Sequence, residues 1–82
     1  MAQAYAKVDL THQPVEGGAD LWPAEPGERI QFAKGALIGE WTHTVGLSLL
    51  IKHSDGTSYL AIYDTVTLKD DKGREVHPYL EV

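Results

Sequence analysis

Two alternating runs of residues joined by an Asp-Gly pair constrain this 82-residue chain more than any other feature. The runs Thr44 to His53 and Thr57 to Asp64 alternate between apolar and other side chains with a period of two, which indicates half-buried strands. Asp55-Gly56 lies between them. Both central residues of a type I′ turn need a positive φ, and Asp-Gly is among the pairs that adopt it most readily. The sequence therefore predicts a β-hairpin with a two-residue turn.

That turn fixes the register of the hairpin. Ile51 would lie opposite Leu60, and Leu49 would lie opposite Ile62. The face predicted to be buried carries only aliphatic residues: Leu47, Leu49, Ile51, Leu60 and Ile62. The opposite, solvent-facing side carries Ser48, Leu50, Lys52, Tyr59, Ala61 and Tyr63. A shift by one residue would move a whole strand's side chains to the other face, so this register is a strong claim.

A second hairpin is predicted at residues 70–73, Asp-Asp-Lys-Gly, as a three-residue loop closed by a glycine in the left-handed region. It would place Leu68 opposite Val76, and Pro78 marks an edge or the end of its strand. Shorter alternating runs predict strands over 4–10, 28–34 and 36–41. Gly39 indicates a bend or bulge in the last of these. Further core residues are expected at Ala4, Ala6, Val8, Leu10, Ile30, Phe32, Val66, Leu68, Val76, Leu80 and Val82.

Five or six short strands in sequence predict one all-β domain over residues 1–82, an antiparallel barrel or a strongly bent sheet. An irregular acidic loop is expected at about 13–28. The stretch Gly27 to Gly35, GERIQFAKG, resembles the diverging turn of SH3-type barrels, and Gly73 to Val82 loosely resembles their closing strand. The chain lacks the opening Ala-Leu-Tyr-Asp-Tyr and the paired tryptophans of the signalling domains. The resemblance implies an SH3-like barrel and brings no function with it.

Charge and composition exclude several function classes. Twelve acidic residues against seven basic ones give a net charge of −5, which opposes binding to nucleic acid or to an anionic membrane. The chain has no cysteine, and no apolar run approaches the roughly 18 residues that span a bilayer. The N-terminal residues lack the pattern of a signal peptide. We expect a soluble, cytoplasmic protein with no nucleic-acid or membrane partner.

Catalytic and metal-binding patterns are missing from the sequence. The four histidines have no spacing typical of a ligand pair, and no nucleophile elbow or phosphate-binding loop occurs. We therefore expect no catalytic residue, no metal and no cofactor. Asp64 would point into the core if its strand ran straight. A bend at Asp64-Thr65 that turns the carboxylate outward is the preferred interpretation, and a buried carboxylate is the alternative.

Aromatic and acidic side chains supply the candidate binding residues. Leu50, Tyr59 and Tyr63 form an apolar patch on the predicted solvent face, and tyrosine is common at protein interfaces. Trp22 is held extended by Pro23 in the acidic loop, where it would be either a lid on an open barrel end or an anchor for a partner. Trp41 is expected at the barrel rim. The partner-binding candidates are Trp22, Trp41, Leu50, Tyr59, Tyr63, Glu16, Asp20 and Glu25.

Three functions follow as hypotheses. The first is a non-enzymatic protein-interaction module that self-associates, as small domains with little core often do, or docks on a protein partner. The alternative is a small-molecule binder or enzyme whose pocket is shared between subunits, since one copy this small can hardly enclose a ligand. Binding of single-stranded nucleic acid through the tyrosines comes last, because the charge opposes it.

Overall fold

The computed structural model describes residues 2–78, which contain eight strands and one short 3-10 helix, Tyr63–Thr65. The strands are β1 (Gln3–Ala6), β2 (Leu10–Val15), β3 (Gly18–Pro23), β4 (Leu37–Val45), β5 (Ser48–Lys52), β6 (Ser58–Ile62), β7 (Val66–Lys69) and β8 (Glu75–Val76). They form one sheet in the order β2-β3-β6-β5-β4-β1-β7-β8. Every pair is antiparallel except β3 and β6, which run parallel.

The all-β class is confirmed, whereas the predicted strand count and the purely antiparallel pairing are wrong. The described strands form an open mixed sheet with β2 and β8 at its edges. The additional strands come mainly from residues 13–28, where an irregular loop was expected. Most of that segment belongs to the hairpin β2–β3, which turns at Glu16-Gly17. Only residues 24–28 remain irregular.

Two prolines concealed this hairpin in the sequence. Pro14 lies in β2 and Pro23 ends β3, and a proline normally argues against a strand because it cannot donate a ladder hydrogen bond. Both positions tolerate it here. β2 is an edge strand, and Pro23 is the last residue of its strand. Trp22 therefore lies on a strand.

The hairpin β5–β6 exists, but its predicted register is wrong by one residue. The loop holds three residues, because His53 N–H donates to Thr57 O at 2.9 Å and Gly56 N–H donates to His53 O at 3.0 Å. A type I′ turn would need a positive φ at Asp55, and among residues 2–78 only glycines have one, Gly56 included. Leu49 consequently pairs with Ala61, and Ile51 pairs with Tyr59.

The shift reverses the faces of β6. Tyr59 and Ala61 are buried, while Leu60 and Ile62 are half-buried on the outer side. The second hairpin, by contrast, is confirmed: Leu68 pairs with Val76 across a loop in which Gly73 N–H donates to Asp70 O at 2.9 Å.

The core lies on the inner face of the bent sheet. Its buried residues come from β1 to β7 and, in the case of Phe32, from the segment between β3 and β4. They are Ala4, Ala6, Leu10, Ala19, Leu21, Phe32, Ile38, Leu49, Ile51, Tyr59, Ala61, Val66 and Leu68. Val76 packs against this cluster, and Leu80 and Val82 lie outside the described residues.

Three residues predicted for the core are exposed instead. Leu47 lies in the turn between β4 and β5, Ile30 belongs to a segment that is not a strand, and Val8 lies in the bend after β1. The predicted strand over 28–34 is reduced to a single bridge between Leu10 and Phe32. The alternation of these short runs predicted strands wrongly at these positions, because turns and bends interrupt the runs.

Two local predictions are confirmed. The 3-10 helix directly after β6 turns Asp64 outward, so its carboxylate is exposed. The pairing of β1 with β4 is irregular beside Gly39: Ala4 pairs with Gly39, but Tyr5 pairs with Leu37. This is the bulge that the glycine indicated.

Candidate interaction surfaces

The outer face of the sheet carries two rows of side chains in which apolar residues lie beside polar ones, and no other part of residues 2–78 covers the apolar ones completely. Paired residues on neighbouring strands point to the same face, so the register defines these rows. One row crosses from β3 to β4 through Asp20, Leu60, Leu50 and His43. The next row contains Ile62, Ser48 and Val45. A small cavity of about 150 Å³, lined by Trp22 and Ile62 among others, shows that Trp22 borders the second row.

Residues at the border extend this apolar surface. Tyr63 N–H donates to Leu47 O at 2.9 Å, which joins the 3-10 helix to the turn between β4 and β5. Leu47 is 53% exposed and Val45 is 48% exposed. We call the following set the outer patch: Val45, Leu47, Leu50, Leu60, Ile62 and Tyr63. It contains no charged side chain, although the chain has a net charge of −5.

Trp22 also forms the wall of a groove beside β2. The groove has a volume of about 650 Å³. We call it the Trp22 groove; its lining residues are Thr11, His12, Gln13, Trp22, Pro23, Ala24, Glu25, Pro26 and Glu28. Trp22 itself is 46% exposed and points away from the core. The interpretation of Trp22 as a lid on a barrel end therefore does not fit its position.

A tight turn fixes the acidic side of the groove. Glu28 N–H donates to Glu25 O at 3.0 Å, and Glu25 N–H donates to the Oε1 atom of Glu28 at 2.9 Å. The two reciprocal hydrogen bonds hold the carboxylate of Glu28 in one orientation. The second oxygen of this carboxylate takes no part in the turn.

An aromatic cluster lies on the inner side of the sheet, near the β5–β6 loop. The ring of Tyr59 contacts Phe32 edge-on with centroids 5.3 Å apart, His53 at 6.0 Å and His12 at 6.4 Å. The Nδ1 atom of His53 forms a hydrogen bond with the carbonyl oxygen of Ile38. A carbonyl can only accept, so Nδ1 carries the proton. The cluster joins β2, β6 and two connecting segments.

Burial raises the pKa of the Tyr59 hydroxyl, the negative charge of Asp55 raises it further, and a hydrogen bond with Gln31 acts in the opposite direction. A tyrosine with a raised pKa in the folded state stabilises the fold fully below the unfolded-state pKa of about 10, and this contribution is lost as the pH rises above it.

We therefore expect the stability of the wild type to fall at alkaline pH more steeply than that of Tyr59→Phe, which has no ionisable hydroxyl. Denaturant unfolding between neutral pH and about pH 11 measures this difference. Tyr5→Phe removes a hydroxyl outside both the aromatic cluster and the outer patch, so it is the control and should retain the wild-type slope. Parallel pH profiles for wild type and Tyr59→Phe would contradict the expectation.

The structure distributes the predicted partner-binding residues over four locations: the outer patch, the Trp22 groove with Trp22 itself, the β2–β3 turn and the inner side of the sheet. Leu50 and Tyr63 belong to the outer patch, Asp20 borders it, and Glu25 lines the Trp22 groove. Glu16 lies in the β2–β3 turn. Tyr59 and Trp41 instead face inward: Tyr59 is buried, and Trp41 packs half-buried against the core.

Trp41 has one feature that the sequence did not indicate. Its Nε1 atom is buried without a hydrogen-bond partner, as is the Oγ1 atom of Thr44 on the same strand. With Trp41 and Tyr59 inside and Trp22 and Tyr63 outside, the four aromatic side chains cannot surround one ligand in a single copy of the chain.

Sequence reasoning missed Leu60, Ile62 and Glu28 as candidate binding residues. The shifted register explains the first two, since it was the predicted two-residue turn that assigned them to the core. For Glu28 a signal was present: Glu-Pro-Gly-Glu is a typical turn sequence, with proline at its second position and glycine at its third.

No cluster of three or more potential metal-ligating side chains occurs among residues 2–78. The same residues contain no helix long and apolar enough to cross a membrane. Comparison of the chain with protein-family models, with curated proteins and with solved structures finds no match. The assignment of a function therefore depends on the two surfaces described above.

Proposed function

We propose that this protein is a non-enzymatic interaction module that forms a dimer by packing the outer patches of two copies against each other. The observation that carries this proposal is the grouping of the outer-patch side chains on one face of the sheet and at its border, where Ser48 lies among them and His43 and Asp20 lie beside them. Scattered apolar side chains are normal on a protein surface, but a contiguous patch on a sheet face marks an interface.

The charge distribution supports a second copy as the occupant of this patch. The chain is strongly acidic, so two copies repel each other unless they meet at a surface without net charge. The outer patch is such a surface: Asp20 lies at one border, and Lys52 at the other border is paired with Glu40. A two-fold axis would also satisfy the requirement that the same residues meet on both sides.

The size of the chain supports dimerisation independently. A domain of about 80 residues buries only about 60% of the surface of its unfolded chain, and oligomerisation is a common way to add buried area. The fold proposed for each copy is an SH3-like arrangement. Its support is the pairing of β1 with both β4 and β7, together with the position of the diverging-turn-like segment 27–35 between the β2–β3 hairpin and β4.

Ile62→Lys is expected to convert the dimer into a monomer. Each interface would lose about 2 kcal/mol per substituted side chain, and the two-fold symmetry doubles the loss. The dissociation constant should therefore rise by about 10³-fold. Size-exclusion chromatography with light scattering over a concentration series measures the change from the mass of two chains to that of one.

Ile30→Lys is the matched control, because Ile30 is 49% exposed but lies outside the outer patch. This variant should remain dimeric. The thermal midpoint of the wild type should rise with protein concentration, whereas that of Ile62→Lys should not, since only a dimer links stability to concentration. A wild type that stays monomeric at high concentration, or equal effects of both substitutions, would refute the proposal.

A further inference from the structure

The Trp22 groove combines an aromatic wall with two carboxylates. Trp22 and Pro23 provide a rigid apolar surface at the end of β3, and Glu25 and Glu28 approach from the turn that follows. Among its described lining residues there is no lysine and no arginine. An exposed indole face attracts a cation through its negative π-surface, and a neighbouring carboxylate strengthens the attraction.

Charge in the surroundings favours the same kind of ligand. Asp20 lies two residues before Trp22 in β3, and Arg29, which follows Glu28, lines a neighbouring cavity with Thr11 and His12. The lining of the groove itself contains the carboxylates of Glu25 and Glu28 without a lysine or an arginine, so the groove keeps a negative charge. A positively charged partner would be drawn toward it, whereas a second acidic copy of this chain would be repelled. The groove thus calls for a different occupant from that of the outer patch.

The geometry favours a guanidinium over an ammonium group. A guanidinium is planar, stacks on an aromatic ring and donates two parallel hydrogen bonds to one carboxylate. The Oε1 atom of Glu28 already accepts the hydrogen bond of Glu25 N–H, which orients this carboxylate before any ligand arrives. Lysine offers a point charge without the planar fit, so it should bind the same groove more weakly.

The edge strand β2 limits how much of a partner's backbone could pair with the sheet beside the Trp22 groove. Leu10 already pairs with Phe32 on the free side of β2. Two residues further along that side is His12, and the next is Pro14, which has no N–H to offer. A partner chain could therefore pair with the edge at His12 alone, and it could not add a long strand.

We infer that the Trp22 groove binds an arginine side chain presented by a short extended segment of a partner protein. The guanidinium stacks on Trp22 and is held by the carboxylates of Glu25 and Glu28, while the adjacent backbone passes His12. The inference rests on the proposed function only in taking the ligand to be a protein. The residues that line the Trp22 groove are different from those of the outer patch, so the two proposals can be tested separately.

A fluorescence titration tests the inference. In the Trp41→Phe variant, Trp22 is the sole tryptophan and reports on the groove. The probe is an acetylated, amidated peptide Gly-Arg-Gly-Arg-Gly, and the comparison peptide carries citrulline, a neutral isostere, in place of each arginine. We expect a saturable change in Trp22 fluorescence with the arginine peptide, no change with the citrulline peptide, and weaker binding as salt is added.

Charge-matched variants separate the groove from the overall acidity of the chain. Glu25→Gln/Glu28→Gln should weaken binding of the arginine peptide by about tenfold or more, because both carboxylates lose their charge while the glutamine oxygen can still accept the hydrogen bond of the turn. Asp64→Asn/Glu75→Gln removes the same charge at two exposed positions away from the groove and should bind like the parent. Equal weakening in both pairs would show nonspecific attraction and overturn the inference.

A variant of Trp22 completes the test by calorimetry, which needs no tryptophan signal. Trp22→Ala should keep its fold, because the side chain is half-exposed, but it should no longer bind the arginine peptide. Retained binding, or equal binding of the citrulline peptide, would overturn the inference. Light scattering and peptide titration of the wild type distinguish the two proposals. A dimeric wild type that does not bind the arginine peptide contradicts the groove alone, and a monomeric wild type that binds the peptide contradicts the dimer alone.

Discussion

Tyr59→Ala is expected to destabilise the protein by about 3–5 kcal/mol, the range found when a buried aromatic side chain is truncated to alanine. Tyr59 is buried, and its ring contacts Phe32, His53 and His12. Truncation would remove the centre of the cluster that joins β2 to β6. Since single domains are stable by only about 5–15 kcal/mol, this loss is a large fraction of the total, and the thermal midpoint should fall by more than about 10 °C.

Leu60→Ala is the matched control, because Leu60 is the next residue of β6 and points to the outer side. Leu60→Ala should lower the unfolding free energy of each monomer far less than Tyr59→Ala does, although it should weaken the dimer. Denaturant unfolding of both variants in the Ile62→Lys background, where the chain is expected to be monomeric, compares the two losses of unfolding free energy. If the two-residue turn were correct, the order of the two effects would be reversed, and that result would contradict the observed register.

This comparison shows what the sequence could and could not predict about the hairpin. Alternation located both strands, and Asp-Gly located the loop between them. The number of loop residues was not predictable from the same pattern, because Ser54, Asp55 and Gly56 suit a three-residue loop as well as a shorter turn. The side-chain contacts of Tyr59 across β2 and β6 then favour the register that buries the ring, and those contacts join residues distant in sequence.

The candidate sites were predictable to a similar extent. Trp22 and its acidic neighbours attracted attention because their composition is unusual, and the structure keeps Trp22 and Glu25 together in one groove. Composition could not predict that Trp22 lies on a strand, β3. β3 pairs in parallel with β6, a contact between segments about 40 residues apart, and local patterns carry no information about it. Without that pairing, neither the outer patch nor the orientation of Trp22 follows.

Gly39→Ala is the second substitution with a large expected effect. A Cβ atom at Gly39 would collide with the carbonyl oxygen of Lys52, and it would lie 2.7 Å from the Lys52 carbonyl carbon and 2.9 Å from the Cα of His53. All three are backbone atoms, so no rotation of a side chain can relieve the contact. β4 would have to move away from the end of β5, and overpacking of this kind costs about 3 kcal/mol or more where the backbone cannot shift freely.

The displacement should also reach the aromatic cluster, because Ile38, the residue before Gly39, accepts the hydrogen bond from His53 Nδ1. We therefore expect Gly39→Ala to lower the thermal midpoint and also to change the NMR signals of the His53 and Tyr59 rings. Gly46→Ala is the control: its φ of +62° carries strain of about 1–2 kcal/mol, but the added Cβ meets open space. Gly39 itself has no positive φ, so a loss in Gly39→Ala no larger than that in Gly46→Ala would contradict the predicted collision with β5. A larger loss in Gly39→Ala, with changed ring signals, would instead show that close approach of two backbones is what requires glycine there.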